Sequence, residues 1–139
     1  MPPGRGEILS LNKFKIIDDS YNANPESVKA ALDHLSCFKK YRKFFVFGDM
    51  KELGDNEESF HSEIGQYADG KTDILFTIGK LAKNAQSNSN NFALSLHFND
   101  NFSLLEKLTE LLTDGDIILI KGSRSMQLDQ LIDELKNVK

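Results

Sequence analysis

The chain has 139 residues, the length of a single domain with one sizeable core. Its 40% hydrophobic and 27% charged residues are ordinary for a soluble globular protein, and a net charge of −4 argues against nucleic acid as a partner, since such footprints are basic. A lone Cys37 excludes an intrachain disulfide, and no apolar run approaches the roughly 18 residues of a membrane span; the start Met1-Pro2-Pro3-Gly4-Arg5 also lacks a signal-peptide core, so the expectation is a reduced, cytoplasmic domain with no membrane partner.

A weak strand at 7–11 is expected to pair with residues 14–18 through a turn at Asn12-Lys13. Asn24 suits a helix N-cap and Pro25 the first helical position, and Val28, Ala31, Leu32 and Leu35 then recur with helical period. Cys37 falls on the core side of that helix and behaves in this reading as a small hydrophobe. The basic run Lys39-Lys40-Tyr41-Arg42-Lys43 is expected to be a solvated turn before an apolar strand at 44–47. Phe60, Ile64, Tyr67 and Ala68 mark a second helix, followed by a strand at 73–78 and a short helix at about 79–87. A polar loop at 87–91 leads to residues 93–98, whose partial alternation suits an edge strand. Leu104, Leu105, Leu108, Leu111 and Leu112 give a third helix, residues 116–120 a strand, and Leu128, Leu131, Ile132 and Leu135 a fourth helix. Nearly continuous apolar strands point to burial on both faces. The strand–helix alternation predicts an α/β, Rossmann-like three-layer sandwich: a mostly parallel sheet of about six strands with one antiparallel edge strand.

Loops at the carboxyl ends of strands are where ligands bind in such sheets. The first is Asp18-Asp19-Ser20-Tyr21-Asn22-Ala23-Asn24-Pro25. A carboxylate there can accept from a ribose diol or hold a metal, and the amides of Asn22 and Asn24 both donate and accept. The competing reading is a helix-capping loop with solvated acids, and for Asn24 itself capping outweighs ligand contact. The second, Gly48-Asp49-Met50-Lys51-Glu52-Leu53-Gly54, sets charged groups on a loop placed by a rigid sheet, or else is a solvated turn. His61, in the following helix, suits the helix surface or packing better than catalysis. The third, Lys121-Gly122-Ser123-Arg124-Ser125, offers two cations and two hydroxyls ahead of a helix N-terminus, a favourable place for an anion. Its spacing is not that of a phosphate-binding G-x-x-x-x-G-K-[ST] loop. Thr77-Ile78-Gly79-Lys80 is simple turn chemistry in this reading. No nucleophile elbow, Cys/His metal spacing or glycine-rich dinucleotide fingerprint is present, so neither a catalytic residue nor a metal site is assigned.

Taken together, Gly4-Arg5, the segment 18–25 with Ala30-Ala31-Leu32, the GDM-x-ELG pattern at 48–54 with His61 downstream, Ile78-Gly79 and the segment 119–126 resemble the C-terminal domain of the Mur ligases. These are ATP-dependent amide-forming enzymes of peptidoglycan precursor synthesis, and the nearest resemblance is to the branch that adds D-alanyl-D-alanine to UDP-N-acetylmuramoyl-tripeptide. The resemblance implies that residues 1–139 are one domain whose partners are its own N-terminal UDP-binding and central ATPase domains, with ATP and Mg2+ bound mainly by the central one. It implies a lid that swings onto the central domain, and an isolated domain without activity. It carries Arg5, Asp19, Tyr21 and Asn22 over to nucleotide contact, and Asn24, Lys51, Lys121, Ser123 and Arg124 to the substrate side. Two other readings compete: a receiver-like module phosphorylated on Asp49, and a stand-alone binding module with no ligase role.

Overall fold

The computed structural model describes residues 3–86 and 91–138. Six strands form one sheet: β1 (Glu7–Ser10), β2 (Phe14–Asp19), β3 (Arg42–Gly48), β4 (Ile74–Ile78), β5 (Leu94–Phe98) and β6 (Asp116–Lys121). Among the described residues, three helices connect strands, α1 (Pro25–Ser36), α2 (Glu57–Ala68) and α3 (Asn101–Leu111), and α4 (Leu128–Leu135) follows β6. The strand order is β1-β2-β6-β3-β4-β5, and every pairing is parallel except β1 with β2. The expected Rossmann-like α/β sandwich is therefore present, with β5 at one edge and the antiparallel β1 at the other.

Alternate residues along each central strand feed two cores. Ile17, Phe45, Phe47, Leu75, Ile117 and Leu119 pack under Val28, Leu32 and Leu35 of α1 and Ile64 and Ala68 of α2. Their strand neighbours Ile16, Phe44, Val46, Phe76, Ile118 and Ile120 pack under Leu104 and Leu108 of α3 and Leu128, Leu131, Ile132 and Leu135 of α4. A strand covered on both faces must be apolar at consecutive positions, which is why these runs lack alternation.

The amino end of the sheet is closed by polar contacts. Arg42 and Asp116 are register partners on β3 and β6. The Arg42 guanidinium donates from Nε to Oδ1 at 2.9 Å and from Nη2 to Oδ2 at 2.8 Å. Lys43 reaches the Tyr41 carbonyl and lies 3.8 Å from Asp73. Half of the basic run at 39–43 is thus tied into the fold, although Arg42 stays 41% exposed, because β3 starts at Arg42 and places its side chain beside a buried acid. Cys37 also departs from expectation: α1 ends at Ser36, so Cys37 becomes its exposed C-cap, its thiol 3.4 Å from the Asp33 carbonyl. The expected helix at 79–87 is a short 3-10 turn at Ala82–Ala85. The polar segment at 87–90 lies outside the described residues.

Candidate functional site

The strand order decides which loops meet. β6 lies between β2 and β3, so the loop after β6 is flanked by the loops after both neighbours. Tyr21, Asn22, Asn24, Lys51, Glu52, Leu53, Ser123, Arg124 and Ser125 consequently line one open cleft of about 790 Å³. A smaller hollow of about 270 Å³ beside it adds Gly4, Arg5, Asp19 and Lys121. The nine site residues expected from the sequence therefore share one rim at the carboxyl edge of the sheet.

Asp19 and Lys121 are register partners on the parallel pair β2–β6. Lys121 is 2% exposed, and its ammonium lies 2.9 Å from Asp19 Oδ2 while donating to the Asn22 carbonyl at 2.9 Å. This cation is already engaged, so it holds Asp19 and the Asn22 backbone in place. Of the two cations expected in the third loop, only Arg124 is exposed. Asn24 caps α1: its Oδ1 accepts from the Ser27 amide at 2.8 Å, and Ser27 Oγ accepts from the Asn24 amide at 3.1 Å. Asn24→Ala should accordingly cost about 1 kcal/mol of folding stability by chemical denaturation, and an unchanged midpoint would deny the cap.

The amino-terminal segment joins the same rim. The Tyr21 amide donates to the Gly4 carbonyl and the Gly6 amide to the Asp18 carbonyl, both at 2.8 Å. Gly4 sits at φ +78°, where a Cβ would come within 3.1 Å of the Tyr21 Cβ. That close approach lays the Arg5 guanidinium carbon 4.1 Å from the centroid of the Tyr21 ring, with that of Arg124 at 5.5 Å. One half-exposed aromatic ring thus gathers two arginines from opposite ends of the chain, a pairing no local pattern announces. Ser123 is fixed differently: its amide donates to the Asp49 carbonyl at 2.8 Å and its hydroxyl shares a hydrogen bond with Ser125 at 2.7 Å.

Asp49 is not a solvated loop acid. It is 4% exposed, and Oδ1 accepts from the Leu81 amide at 3.0 Å and the Ala82 amide at 2.7 Å. It caps the 3-10 turn after β4, and Gly79 (φ +105°) leaves room because a Cβ there would lie 2.3 Å from Asp49 Oδ1. A receiver-like acceptor must be open to a phosphodonor, and this carboxylate is closed off. The turn at 77–80 accordingly serves packing. Lys51, 3.6 Å from Asp49 Oδ2, remains exposed on the cleft. Among the described residues no three His, Cys, Asp or Glu side chains gather as a metal-ligand set, and no helix is long and apolar enough to cross a membrane.

His61 is fully buried beneath the second loop, the packing role that the sequence allowed, but its bond to the Met50 amide is one that sequence reasoning missed. Its only signal is its position in α2, downstream of the GDM-x-ELG pattern.

Comparison with known proteins agrees with this geometry. The C-terminal Mur ligase family model, described as "Mur ligase, glutamate ligase domain", matches residues 4–124. The UDP-N-acetylmuramoyl-tripeptide–D-alanyl-D-alanine ligase of Bacillus subtilis (strain 168) is 40% identical over 128 residues, covering 88% of this chain and 28% of that protein. The MurF ligase of Thermotoga maritima, solved in complex with ADP, superposes with a TM-score of 0.86 at 28% identity, covering 98% of this chain and 31% of that one. A MurF structure from Acinetobacter baumannii gives a TM-score of 0.83 at 27% identity, covering 96% and 30%. The chain spans less than a third of the length of these relatives. With the match running from Gly4 in the amino-terminal segment to Arg124 on the cleft rim, this chain belongs to the Mur ligase family, as its C-terminal domain.

Proposed function

We propose that this domain is the closing lid of an ATP-dependent ligase that joins D-alanyl-D-alanine to UDP-N-acetylmuramoyl-tripeptide in the cytoplasm. The observation that carries the proposal is the meeting of three motif loops on one rim: Asp19 clamped by Lys121, Arg5 and Arg124 gathered on Tyr21, and Ser123 anchored to Asp49. These groups suit a ligand with a ribose and several anionic oxygens. An Asp19 carboxylate held by Lys121 can accept from ribose hydroxyls, while Tyr21 and Asn22 border the nucleotide. Arg5 offers charge to phosphate. Arg124, Ser123 and Lys51 offer charge and a hydroxyl to the dipeptide or acyl group, and a guanidinium grips a carboxylate or phosphate at two points.

The reaction explains why a lid is needed. ATP activates the tripeptide carboxylate as an acyl phosphate, and the dipeptide amine then displaces phosphate. Two anionic substrates must be held in line and water kept from the activated acyl group. A half-site on a separate domain meets both needs when it closes on the central domain. In this reading ATP and Mg2+ are held mainly by that central domain; the described residues of this chain do not fit a metal site, and none of its groups is assigned a chemical step. By itself the domain is expected to be inactive.

The test is phosphate release dependent on ATP, tripeptide and D-Ala-D-Ala, measured on the whole ligase with this domain joined to its N-terminal and central domains. Arg124→Ala removes a charge-assisted contact and is expected to lower kcat/KM about 10- to 100-fold. Full activity of that variant, together with full activity of Arg5→Ala, would refute the assignment.

A further inference from the structure

His61 stands outside the proposed ligand contacts, yet its surroundings are unusually definite. It lies in the second turn of α2 with no exposed surface, its ring 5.6 Å from that of Phe47 on β3. Its Nε2 is 2.9 Å from the Met50 amide nitrogen, and its Nδ1 is 2.6 Å from the Glu57 carbonyl oxygen. Both partners have fixed roles. A backbone N–H can only donate, so Nε2 must be bare; a carbonyl can only accept, so Nδ1 must carry the proton. The ring is therefore locked as one neutral tautomer.

What the ring holds is the start of the second cleft loop. Met50 is followed directly by Lys51, Glu52 and Leu53, all on the cleft. Glu52 sits at φ +61°, a left-handed conformation that costs a residue other than glycine about 1 kcal/mol and needs its surroundings to enforce it. Upstream, Asp49 is bolted to the turn at 81–82 and to the Ser123 amide. Among the described residues, the side chain that accepts from the Met50 amide is that of His61.

We propose that His61 is a positioning residue: through its bond to the Met50 amide it sets the Lys51-Glu52-Leu53 wall of the cleft, and acid releases that wall by placing a proton on Nε2. A protonated ring would present an N–H to the Met50 N–H, turning the attachment into a repulsion. The charged groups facing the ring are Glu57 on its own helix and Asp49 and Lys51 on the loop. Burial is the largest influence and holds its pKa below the usual histidine value; the Glu57 carbonyl and the Asp49 and Glu57 charges oppose this, and Lys51 assists it. The unfolded chain takes up a proton near pH 6.5 while the folded ring resists one. This contribution to stability is therefore complete above that pH and falls away as the pH drops towards the folded value.

This role rests on the proposed ligand cleft, but its test reads the loop of this chain without any ligand. A failure here would leave the ligand assignment standing, and the reverse. In the unsubstituted chain, long-range proton–nitrogen NMR should show a proton on Nδ1 and a bare Nε2 at neutral pH. On acidification, the imidazole and the Met50 amide should change with one midpoint, below pH 6.5. In His61→Phe, hydrogen exchange at the Met50 amide should quicken about tenfold or more, and backbone order parameters at 51–53 should fall from about 0.85 towards 0.6. His61→Gln, which offers an acceptor oxygen near the Nε2 position, should restore much of both. A proton on Nε2 at neutral pH, separate midpoints for ring and amide, or an unaltered loop in folded His61→Phe would each overturn the proposal. Equal loosening at Val46 and Leu119 would also overturn it, since His61 would then merely support the core. Should His61→Phe fail to fold, the shared or separate midpoints of the unsubstituted chain decide.

Discussion

Asp19→Ala is expected to lower the unfolding free energy by about 3 kcal/mol, because it leaves the Lys121 ammonium buried with, among the described residues, only the Asn22 carbonyl as a polar partner. The figure sits at the low end for a broken buried pair, since the Asp19 side chain is 20% exposed and water offers partial relief. The reverse deletion is milder. Lys121→Met fills a similar volume and leaves an acid that can reach solvent, so it should cost about 1 kcal/mol or less. A double-mutant cycle in urea separates these effects. Asp19→Ala combined with Lys121→Met should be more stable than Asp19→Ala alone, by about 2 kcal/mol. If the double variant is no better than the single one, the ion pair is not what organises this rim. If the proposed nucleotide role of Asp19 holds, Lys121→Met, which keeps the fold but unclamps Asp19, should weaken nucleotide affinity in the whole ligase while unfolding in urea almost normally.

Gly65→Ala should be comparably damaging, although alanine is the better helix former. The gain in helix propensity is about 1 kcal/mol. Against it, a Cβ at position 65 would lie 1.9 Å from the Ala85 carbonyl oxygen and 2.7 Å from its carbon. Backbone, unlike a side-chain tip, cannot turn aside, so the whole turn at Ala82–Ala85 has to move. Overpacking of this kind costs about 3 kcal/mol or more. The net loss should appear as a Tm lowered by about 8 °C. Gly54 is the control: it has φ +74° but nothing within 4 Å of where a methyl would stand, so Gly54→Ala bears only backbone strain of about 1 kcal/mol. Equal effects at the two positions would deny the close approach of α2 to the turn. The damage from Gly65→Ala should spread to the cleft, since Asp49 grips the amides of Leu81 and Ala82 and Lys51 follows two residues later.

Local chemistry made much of this legible in advance. The apolar runs, the Asn24-Pro25 start of α1 and the leucine periodicity of α3 and α4 reflect forces between near neighbours, and each element appeared close to its expected bounds. The misreadings have two causes, a partner distant in sequence and an element that stops early. Arg42 opens a strand in place of the expected turn, with Asp116 as its neighbour across β3–β6. Asp49 left the cleft because the turn after β4 offered it two amides. Cys37 lost its core position because α1 stopped one residue short of it.

The order of residues alone determined the six strands, the four helices, the loops that carry polar chemistry and the family resemblance, since period, capping and motif spacing are properties of short stretches of chain. Only the tertiary structure decided that β6 lies between β2 and β3. That insertion sets Lys121 against Asp19 and brings Arg124 to the tyrosine ring that Arg5 covers from the amino-terminal segment. The physical reason is that strand order depends on how two helical layers cover both faces of one sheet, an energy summed over the whole core and written in no single segment.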